Sequence, residues 1–258
     1  MENFKFKKKY GQNFIIDNNV INNIVKNSNL EFNSLVIEIG PGSGALTKKL
    51  SSKVKNVLCY EIDETLKPIL NTMADNVEII YGDFLKQNIS ENIKKYKYKK
   101  LYVVANLPYY ITTPIIMKII DSQINPNKIV IMVQKEVGKR LNAKPNNKEY
   151  GSLTVFLNYY FNIKKIMNVS RNVFLPKPNV DSIVVELVSN KDKKCKTEEL
   201  LFKLIKDSFK YKRKNLKNNL KGYNLNKIAA ILKEEKLDLN IRAESLTIDQ
   251  FIKIADKY

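Results

Sequence analysis

Histidine and tryptophan are absent from this sequence of 258 residues, and only two cysteines are present. Without histidine, the usual zinc-ligand sets cannot form, and catalysis by a histidine acid or base is excluded. Cys59 and Cys195 lie far apart in the sequence, which disfavours a metal motif or a local disulfide. We therefore expect no metal, no disulfide and no histidine-dependent mechanism.

Long apolar runs are also missing. No stretch approaches the roughly 20 consecutive apolar residues that a membrane-spanning helix needs. The N-terminal segment MENFKFKKKYGQ contains lysines but lacks the apolar core of a signal peptide. The sequence therefore predicts a cytoplasmic protein that does not bind a membrane.

Acidic residues are scarce relative to basic ones. The chain has 26 Asp and Glu against 45 Lys and Arg, a formal net charge of +19. A positive field of this size exceeds what solubility requires, and it attracts phosphate backbones or anionic membrane surfaces. The apolar fraction of 44% can supply a core for one large domain with a smaller companion. We expect a folded, soluble protein whose partner is a nucleic acid.

Apolar runs alternate with amphipathic stretches over most of the chain, as in SLVIEIG followed by ALTKKL and KLYVVAN followed by TPIIMKII. This alternation predicts an α/β domain in which helices cover both faces of a parallel sheet, with the ligand site at the carboxyl ends of the strands. After VDSIVVELV the composition changes at SNKDKKCK, and the remainder is lysine-rich and helix-like. The predicted domains are therefore residues 1–190 and 191–258.

The first predicted strand leads into the glycine-rich stretch EIGPGSGALT. Gly40, Gly42 and Ala45 fit the dinucleotide pattern G-x-G-x-x-G/A, in which glycines let the backbone approach a ligand closely. Glu61 ends the next strand, at the spacing where an acidic residue binds ribose hydroxyls. Asp83, in YGDF after the third strand, could accept a hydrogen bond from an adenine amino group or cap a helix. This set predicts a nucleoside ligand and leaves nicotinamide and S-adenosylmethionine both open.

The segment ANLPYY, after the apolar run LYVV, decides between these cofactors. A tight turn would favour Asn-Gly or Asp-Gly, so Asn106, Leu107, Pro108 and Tyr109 indicate a site. The exocyclic amine of adenine is a weak nucleophile because its lone pair is delocalised into the ring. The Asn106 oxygen and a backbone carbonyl at Leu107 or Pro108 can accept its two N–H bonds, while Tyr109 stacks on the base. This arrangement predicts methyl transfer without a general base.

Nine segments, in order, resemble the adenine dimethyltransferases of small-subunit (16S) ribosomal RNA, whose relatives are the erythromycin-resistance methyltransferases of the large subunit. They are YGQNF, EIGPGSGALT, YEID, GDF, NLPYYITTP, QKEVGKRL, EYGSLTV, VFLPKPNVDS and RKNLKNNL. The resemblance implies a Rossmann-like class I methyltransferase domain with a small C-terminal all-α domain. It also implies dimethylation of N6 of two adjacent adenosines in a hairpin loop near the 3′ end of the RNA. The expected substrate is an immature small ribosomal subunit, and the expected enzyme is a monomer.

The same resemblance assigns the S-adenosylmethionine site to a set of residues at the N-terminus and at the strand ends: Gln12, Asn13, Ile15, Gly40, Gly42, Glu61, Asp83 and Asn106. Phe174 is expected to cover the second face of the stacked adenine, with a place in the core as the alternative. Tyr110 stands where many members carry Asn. We expect it to alter how the target base is held but not the reaction.

Two basic segments are candidates for RNA contact. FKFKKKYGQ interleaves lysines with aromatics, a composition suited to phosphate contact and base stacking. KYKRKNLKNNL is expected to present a basic group on a helix and its flank, formed by Lys210, Lys212, Arg213, Lys214 and Lys217. For both segments the alternative is a solvated surface. We expect residues 191–258 to form an RNA- or ribosome-docking domain.

Three other functions stay open. A large-subunit resistance methyltransferase would share the chemistry but modify one adenosine, although NLPYYITTP, PNVDS and IRAESLTIDQFIKIA resemble the small-subunit branch. A nicotinamide oxidoreductase explains the glycine loop but leaves NLPY without a use. An inactive assembly factor that only binds RNA would keep the basic surface and lack methyl transfer.

Overall fold

The structure, a computed structural model, describes Lys7 and residues 11–258. Its strands are β1 (Phe14–Ile15), β2 (Ser34–Ile39), β3 (Asn56–Glu61), β4 (Val77–Tyr81), β5 (Lys100–Asn106), β6 (Lys128–Gln134), β7 (Phe161–Val169), β8 (Phe174–Leu175) and β9 (Ser182–Ser189). Its α-helices are α1 (Asn18–Ser28), α2 (Ala45–Ser51), α3 (Lys67–Leu70), α4 (Ile89–Ile93), α5 (Thr112–Asp121), α6 (Lys135–Leu141), α7 (Ser152–Tyr160), α8 (Glu198–Ser208), α9 (Leu216–Asn219), α10 (Leu225–Glu234) and α11 (Ile248–Lys257).

The chain forms two compact units. The first contains the described residues up to Gly138 together with Lys164–Ser189, and the second contains Lys139–Ile163 and Asn190–Tyr258. The chain passes from the first unit to the second for the last time between Ser189 and Asn190, close to the domain boundary expected near residue 190. Lys139–Ile163, which the sequence analysis assigned to the first domain, instead packs within the second unit.

Seven strands form one sheet in the order β4-β3-β2-β5-β6-β9-β7, while β1 and β8 pair as a separate antiparallel ribbon. Strands β2 to β6 run parallel, and β9 runs antiparallel to β6. The strand order changes direction between β2 and β5, which are neighbours in space. At such a switch point the connections after the two strands leave on opposite sides and open a crevice at their carboxyl ends. The predicted α/β fold with a parallel sheet is confirmed.

The sequence of β2 explains its central position. In SLVIEI every residue is buried, and Leu35, Val36 and Ile37 are fully inaccessible. Burial of consecutive side chains, with three adjacent aliphatic residues, is typical of a strand covered on both faces. Val36 packs in one cluster with Ile24 of α1 and Leu50 of α2. Full burial of one aliphatic side chain of this size stabilises the fold by about 1.5–3 kcal/mol.

Helix α1 illustrates how local signals place the elements around this sheet. Asp17 begins it as the N-cap, where its side chain accepts a hydrogen bond of 2.7 Å from the Asn19 N–H. Ile21 and Ile24 lie on the buried face at helical spacing. Asn29 ends the helix in the left-handed conformation with φ 48°.

The second unit is built mainly from helices around its own core. Its buried residues include Leu201 and Leu204 of α8, Ile228 of α10 and Phe251 of α11. Val155 and Tyr159 of α7 belong to the same cluster. Because α7 buries its apolar side among these helices, it belongs to the core of the second unit. The helical character predicted after residue 190 is confirmed.

None of the helices in the described part of the chain combines the length and the apolar character that crossing a bilayer requires. Lys7 and residues 11–258 also contain no group of three or more cysteine, aspartate or glutamate side chains placed to hold a metal ion.

Candidate functional site

A cavity opens in the first unit at the carboxyl ends of β2, β3, β4 and β5. The last residues of these strands are Ile39, Glu61, Tyr81 and Asn106. The lining includes ten of the twelve residues that the sequence analysis proposed for catalysis or cofactor binding: Gln12, Asn13, Gly40, Gly42, Glu61, Asp83, Asn106, Leu107, Pro108 and Tyr109. Predicted site residues that lie at or just after four separate strand ends therefore line one cavity.

The glycine loop between β2 and α2 lets other groups approach its backbone. Gly42 has φ +57°, and a Cβ added there would lie 2.7 Å from a ring carbon of Phe14. A side chain at position 42 would therefore be strained and would also displace the phenyl ring. At Gly40, with φ +70°, an added Cβ would meet nothing within 4 Å, because this part of the loop faces open space.

Glu61 ties this loop to the end of β3. Its carboxylate accepts hydrogen bonds from the backbone N–H of Gly42 at 3.1 Å and of Asp63 at 2.8 Å. The residue is 4% exposed. Burial raises the pKa of Glu61, while these two backbone hydrogen bonds oppose the rise. An ionised carboxylate has about four acceptor positions, so Glu61 can brace the loop and still accept from a ligand hydroxyl.

Asp83 fulfils one of the two roles expected for it and remains able to fulfil the other. One carboxylate oxygen accepts a hydrogen bond of 3.0 Å from the Leu85 N–H and caps the 3-10 turn Phe84–Lys86. The other oxygen accepts no hydrogen bond from the described residues. Since Asp83 also lines the cavity, that second oxygen can serve a donor on a ligand.

Asn106 is half-buried at the end of β5, and its amide is oriented by the N-terminal segment. The side-chain nitrogen donates a hydrogen bond of 2.9 Å to the backbone oxygen of Asn13. The Asn13 side chain in turn donates to the Gly11 oxygen at 3.1 Å. With its N–H group engaged in this way, the Asn106 amide presents its oxygen as an acceptor.

Tyr109 is held at the far end of its ring. Its hydroxyl shares a hydrogen bond of 2.8 Å with the Ser182 hydroxyl at the start of β9. Burial raises the pKa of Tyr109, although the Ser182 hydrogen bond acts in the opposite direction. The phenol is therefore neutral at physiological pH, and its ring is fixed in the cavity wall.

Gln12 and Asp63 belong to a network that fixes the N-terminal segment beside the cavity. The Gln12 side-chain oxygen accepts from the Lys7 backbone N–H at 2.8 Å, and its nitrogen donates to Asp63 at 2.7 Å. The Lys7 ammonium group forms an ion pair of 2.6 Å with Asp63. Burial alone would raise the pKa of Asp63, but hydrogen bonds from Lys7, Thr65 and Gln12 lower it to about 2. Gln12 therefore positions the segment.

Two predicted site residues lie outside the lining of the cavity. Ile15 and Phe174 pair across the β1-β8 ribbon, and both side chains pack in the core cluster beneath the sheet. Phe174 is 3% exposed. Its position matches the core alternative, and in this conformation it does not offer a face to an adenine in the cavity. The basic segment FKFKKKYGQ, apart from Lys7, Gly11 and Gln12, lies outside the described residues.

Several lining residues were not predicted from the sequence, among them Gly11, Phe14, Tyr60, Phe84 and Ile115. Phe14 follows directly after YGQN, so its place in that motif was a usable signal. Tyr60 and Phe84 adjoin Glu61 and Asp83, whose strand-end positions also identify their neighbours. Ile115 on α5 carries no local signal, because a buried isoleucine in a helix is typical of any core.

A second buried carboxylate, Glu38, lies inside β2 below the glycine loop. It is 1% exposed, and burial raises its pKa to about 7. The Cys59 thiol on the neighbouring strand β3 donates a weak hydrogen bond to it at 3.6 Å. Burial, followed by the nearby Glu38 carboxyl group, raises the pKa of this thiol as well.

Known proteins resemble this chain in both sequence and fold. The sequence model of the family described as Ribosomal RNA adenine dimethylase matches residues 3–258. The Ribosomal RNA small subunit methyltransferase A of Aster yellows witches'-broom phytoplasma (strain AYWB) is 47% identical, over 98% of this chain and 96% of that protein. The protein of the same description from Staphylococcus aureus (strain JH9) is 43% identical, over 98% of this chain and 90% of that protein.

Two solved structures resemble the fold along nearly its whole length. A dimethyladenosine transferase from Plasmodium falciparum superposes with a TM-score of 0.78 at 25% identity, covering 93% of this chain and 95% of that one. The 23S rRNA methyltransferase ErmE gives a TM-score of 0.75 at 23% identity, covering 95% of this chain and 99% of that one. The predicted methyltransferase fold is therefore confirmed.

Proposed function

Since the chain belongs to the ribosomal RNA adenine dimethylase family, we propose that it dimethylates N6 of two adjacent adenosines near the 3′ end of 16S ribosomal RNA. The methyl donor is S-adenosylmethionine, and the substrate is an immature small ribosomal subunit. The enzyme acts as a monomer in the cytoplasm. The observation that carries this proposal is the orientation of the Asn106 amide by the Asn13 backbone oxygen.

The cavity suits a cofactor with an adenosine part. Glu61 at the end of β3 has acceptor positions for ribose hydroxyls, and the second oxygen of Asp83 can accept from an adenine amino group. The open backbone at Gly40 leaves room for the remainder of the molecule. S-adenosylmethionine bound here would supply an electrophilic methyl group.

The residues of ANLPYY suit an adenine amine as the acceptor. The Asn106 oxygen and a backbone oxygen of the following Leu107 or Pro108 accept its two N–H groups, so that the nitrogen lone pair is directed out of conjugation with the ring. Tyr109, anchored at Ser182, provides a face for the base. The amine releases its proton readily once it carries the new methyl group, so the chemistry does not require a histidine.

The basic loop of the second unit is preorganised for phosphate contact. The five residues of this loop and of the following helix are all exposed: Lys210, Lys212, Arg213, Lys214 and Lys217. The Asn219 side chain accepts from the Tyr211 N–H at 3.0 Å and donates to the Tyr211 oxygen at 3.2 Å, which braces the loop. Within the described residues, none of the five forms an ion pair with a carboxylate. Their charge is therefore available to an RNA backbone.

The small-subunit branch is favoured over the erythromycin-resistance type. The relatives at 43% and 47% identity carry the small-subunit description over nearly their whole length. The likeness to ErmE, at 23% identity, reflects the fold alone. A nicotinamide oxidoreductase would leave the oriented Asn106 without a role.

The experiment that tests the proposal measures transfer of tritium from methyl-labelled S-adenosylmethionine to immature small subunits, to mature small subunits and to large subunits. The RNA is then digested, and its nucleosides are separated. We expect label in N6,N6-dimethyladenosine from the 3′ region of immature small-subunit RNA. Label confined to large-subunit RNA would establish the resistance-type function instead. Absence of label with all three substrates would indicate a factor that only binds RNA.

A further inference from the structure

Two consecutive tyrosines in the NLPYY segment have different environments. Tyr109 is half-buried, with its hydroxyl held by Ser182. Tyr110 is 64% exposed, although it also lines the cavity. One ring therefore lies in the wall of the cavity, while the other lies at its mouth and offers a large aromatic surface to solvent.

The exposed ring is held close to the N-terminal segment. A Cβ added to Gly11 would lie 3.0 Å from Cε1 of Tyr110 and 3.4 Å from Cβ of Pro108. The edge of the Tyr110 ring thus lies close to the backbone at residue 11, where a side chain would make a tight contact with it. Gly11 also has φ +58°, a conformation that glycine adopts without strain. These contacts limit the orientations that the ring can take.

We propose that Tyr110 is a substrate-binding residue that stacks on the nucleotide next to the acceptor adenosine. This inference rests on the proposed function, in which the acceptor base enters the cavity against Tyr109. The neighbouring nucleotide is linked to the acceptor by one phosphodiester and must lie near the cavity mouth, where Tyr110 is found. Two adjacent tyrosines thus hold two adjacent bases, one inside the cavity and one outside.

The chemistry of the ring suits this task. An extended base stacks on an aromatic face without a sequence-specific hydrogen bond, and loss of one such contact weakens binding of single-stranded RNA by about tenfold to a hundredfold. The gain is in RNA binding, because the neighbouring base does not touch the reacting atoms. Tyr110 is therefore expected to act on the KM for RNA and not on the methyl-transfer step.

The test compares Tyr110→Ala, Tyr110→Leu and Tyr110→Phe on immature small subunits at saturating S-adenosylmethionine. Tyr110→Ala and Tyr110→Leu should raise the KM for the subunit by about tenfold or more, with kcat changed by less than about threefold. Tyr110→Phe should stay near wild type, because it keeps the ring. Leucine separates loss of stacking from loss of bulk. Phe32→Ala is the matched control, since Phe32 is 67% exposed and lies outside the cavity lining.

A second arm removes the base instead of the ring. Subunits are reconstituted with a 3′ RNA fragment that carries an abasic nucleotide on the 5′ or on the 3′ side of the acceptor. One of the two abasic substrates should raise the KM of the wild-type enzyme, and Tyr110→Ala should then add almost no further increase.

The outcomes also separate this inference from the proposed function. If wild type dimethylates adenosine while Tyr110→Leu binds and methylates as well as wild type, the stacking role is wrong and the proposed function stands. Equal KM increases from Tyr110→Ala on intact and on both abasic substrates would likewise refute it. If the wild-type enzyme itself transfers no methyl group to adenosine, the proposed function fails first. Unchanged S-adenosylmethionine affinity in the Tyr110 variants, measured by calorimetry, verifies that the cofactor site is intact.

Discussion

The Asn106 side-chain nitrogen donates a hydrogen bond of 2.9 Å to the backbone oxygen of Asn13, 93 positions away in the sequence. An amide has separate donor and acceptor ends, so this bond determines which end faces the cavity. The oxygen remains available to the acceptor amine because the nitrogen is engaged. The N-terminal segment therefore fixes the orientation of the Asn106 amide at the cavity, as the proposed mechanism requires.

Asn106→Ala should lower the single-turnover methylation rate by on the order of 10²-fold or more, since the lost acceptor aligns the amine chiefly in the transition state. RNA affinity, measured by filter binding on the same subunits, should change much less. The rate is measured at saturating cofactor, because Asn106 also lines the cavity proposed to hold the cofactor. A folded variant that methylates at the wild-type rate would show that ANLPYY is only structural.

Glu61→Ala should weaken S-adenosylmethionine binding by roughly 1.5–3 kcal/mol, the typical worth of a hydrogen bond to a charged group. Calorimetry measures the affinity directly. Glu61→Gln should lose less, because its side chain keeps an acceptor oxygen for the Gly42 or Asp63 N–H. If the folded alanine variant binds the cofactor as tightly as wild type, the ribose role belongs to another residue.

The strand-end positions of the site could be predicted because each rests on a local signal. Gly40, Glu61, Asp83 and Asn106 each come at or directly after the end of an apolar strand-like run, and parallel strands bring such ends to one edge of the sheet. Four short segments were therefore enough to predict one cavity, while the alternation of apolar and amphipathic runs predicted the fold class.

The other site contacts and the extent of the second unit depend on packing between residues far apart in the sequence, which no local pattern reveals. The Gln12–Asp63 hydrogen bond joins residues 51 positions apart, and neither residue type indicates a partner. Phe174 in VFLPKP has the same sequence appearance whether it faces a ligand or the core. Helix α7 looks like any apolar helix, and only its packing with α8 places it in the second unit. A truncation at residue 190 would therefore expose the buried face of α7.

Asp63→Asn should destabilise the protein by roughly 2 kcal/mol at pH 7, because the lowered pKa of Asp63, about 2, reports stabilisation of the charged form. That contribution is complete above the unfolded-state pKa of about 3.9 and is lost as the pH falls towards the folded-state pKa. The difference in urea-unfolding free energy between variant and wild type should hence shrink below about pH 4. The exposed Asp75→Asn serves as the matched control. A difference that does not vary with pH would exclude the ion pair as its source.

Glu38→Gln should make the protein more stable than wild type at high pH. Burial raises the pKa of Glu38 to about 7, so the folded state holds this proton more tightly than the unfolded state does. Stability from this group is therefore fully present below the unfolded-state pKa of about 4.3 and is lost as the pH rises through the folded-state pKa. The advantage of the variant should grow between pH 5 and pH 8, to roughly 3 kcal/mol. Parallel pH profiles of unfolding free energy would show that the pKa of Glu38 is the same in the folded and unfolded states.

Neutralising the basic loop with Lys210→Gln, Arg213→Gln and Lys214→Gln should weaken binding to immature small subunits and make the dependence of log affinity on log salt concentration shallower by about 2–3. Each cation that contacts a phosphate releases counterions, so the change in slope counts the lost contacts. The control carries Lys191→Gln, Lys196→Gln and Lys233→Gln, which remove the same charge from exposed positions elsewhere in the second unit. Calorimetric affinity for S-adenosylmethionine should be the same in both variants. Equal losses of slope in the two triple variants would mean that net charge, and not this loop, attracts the RNA.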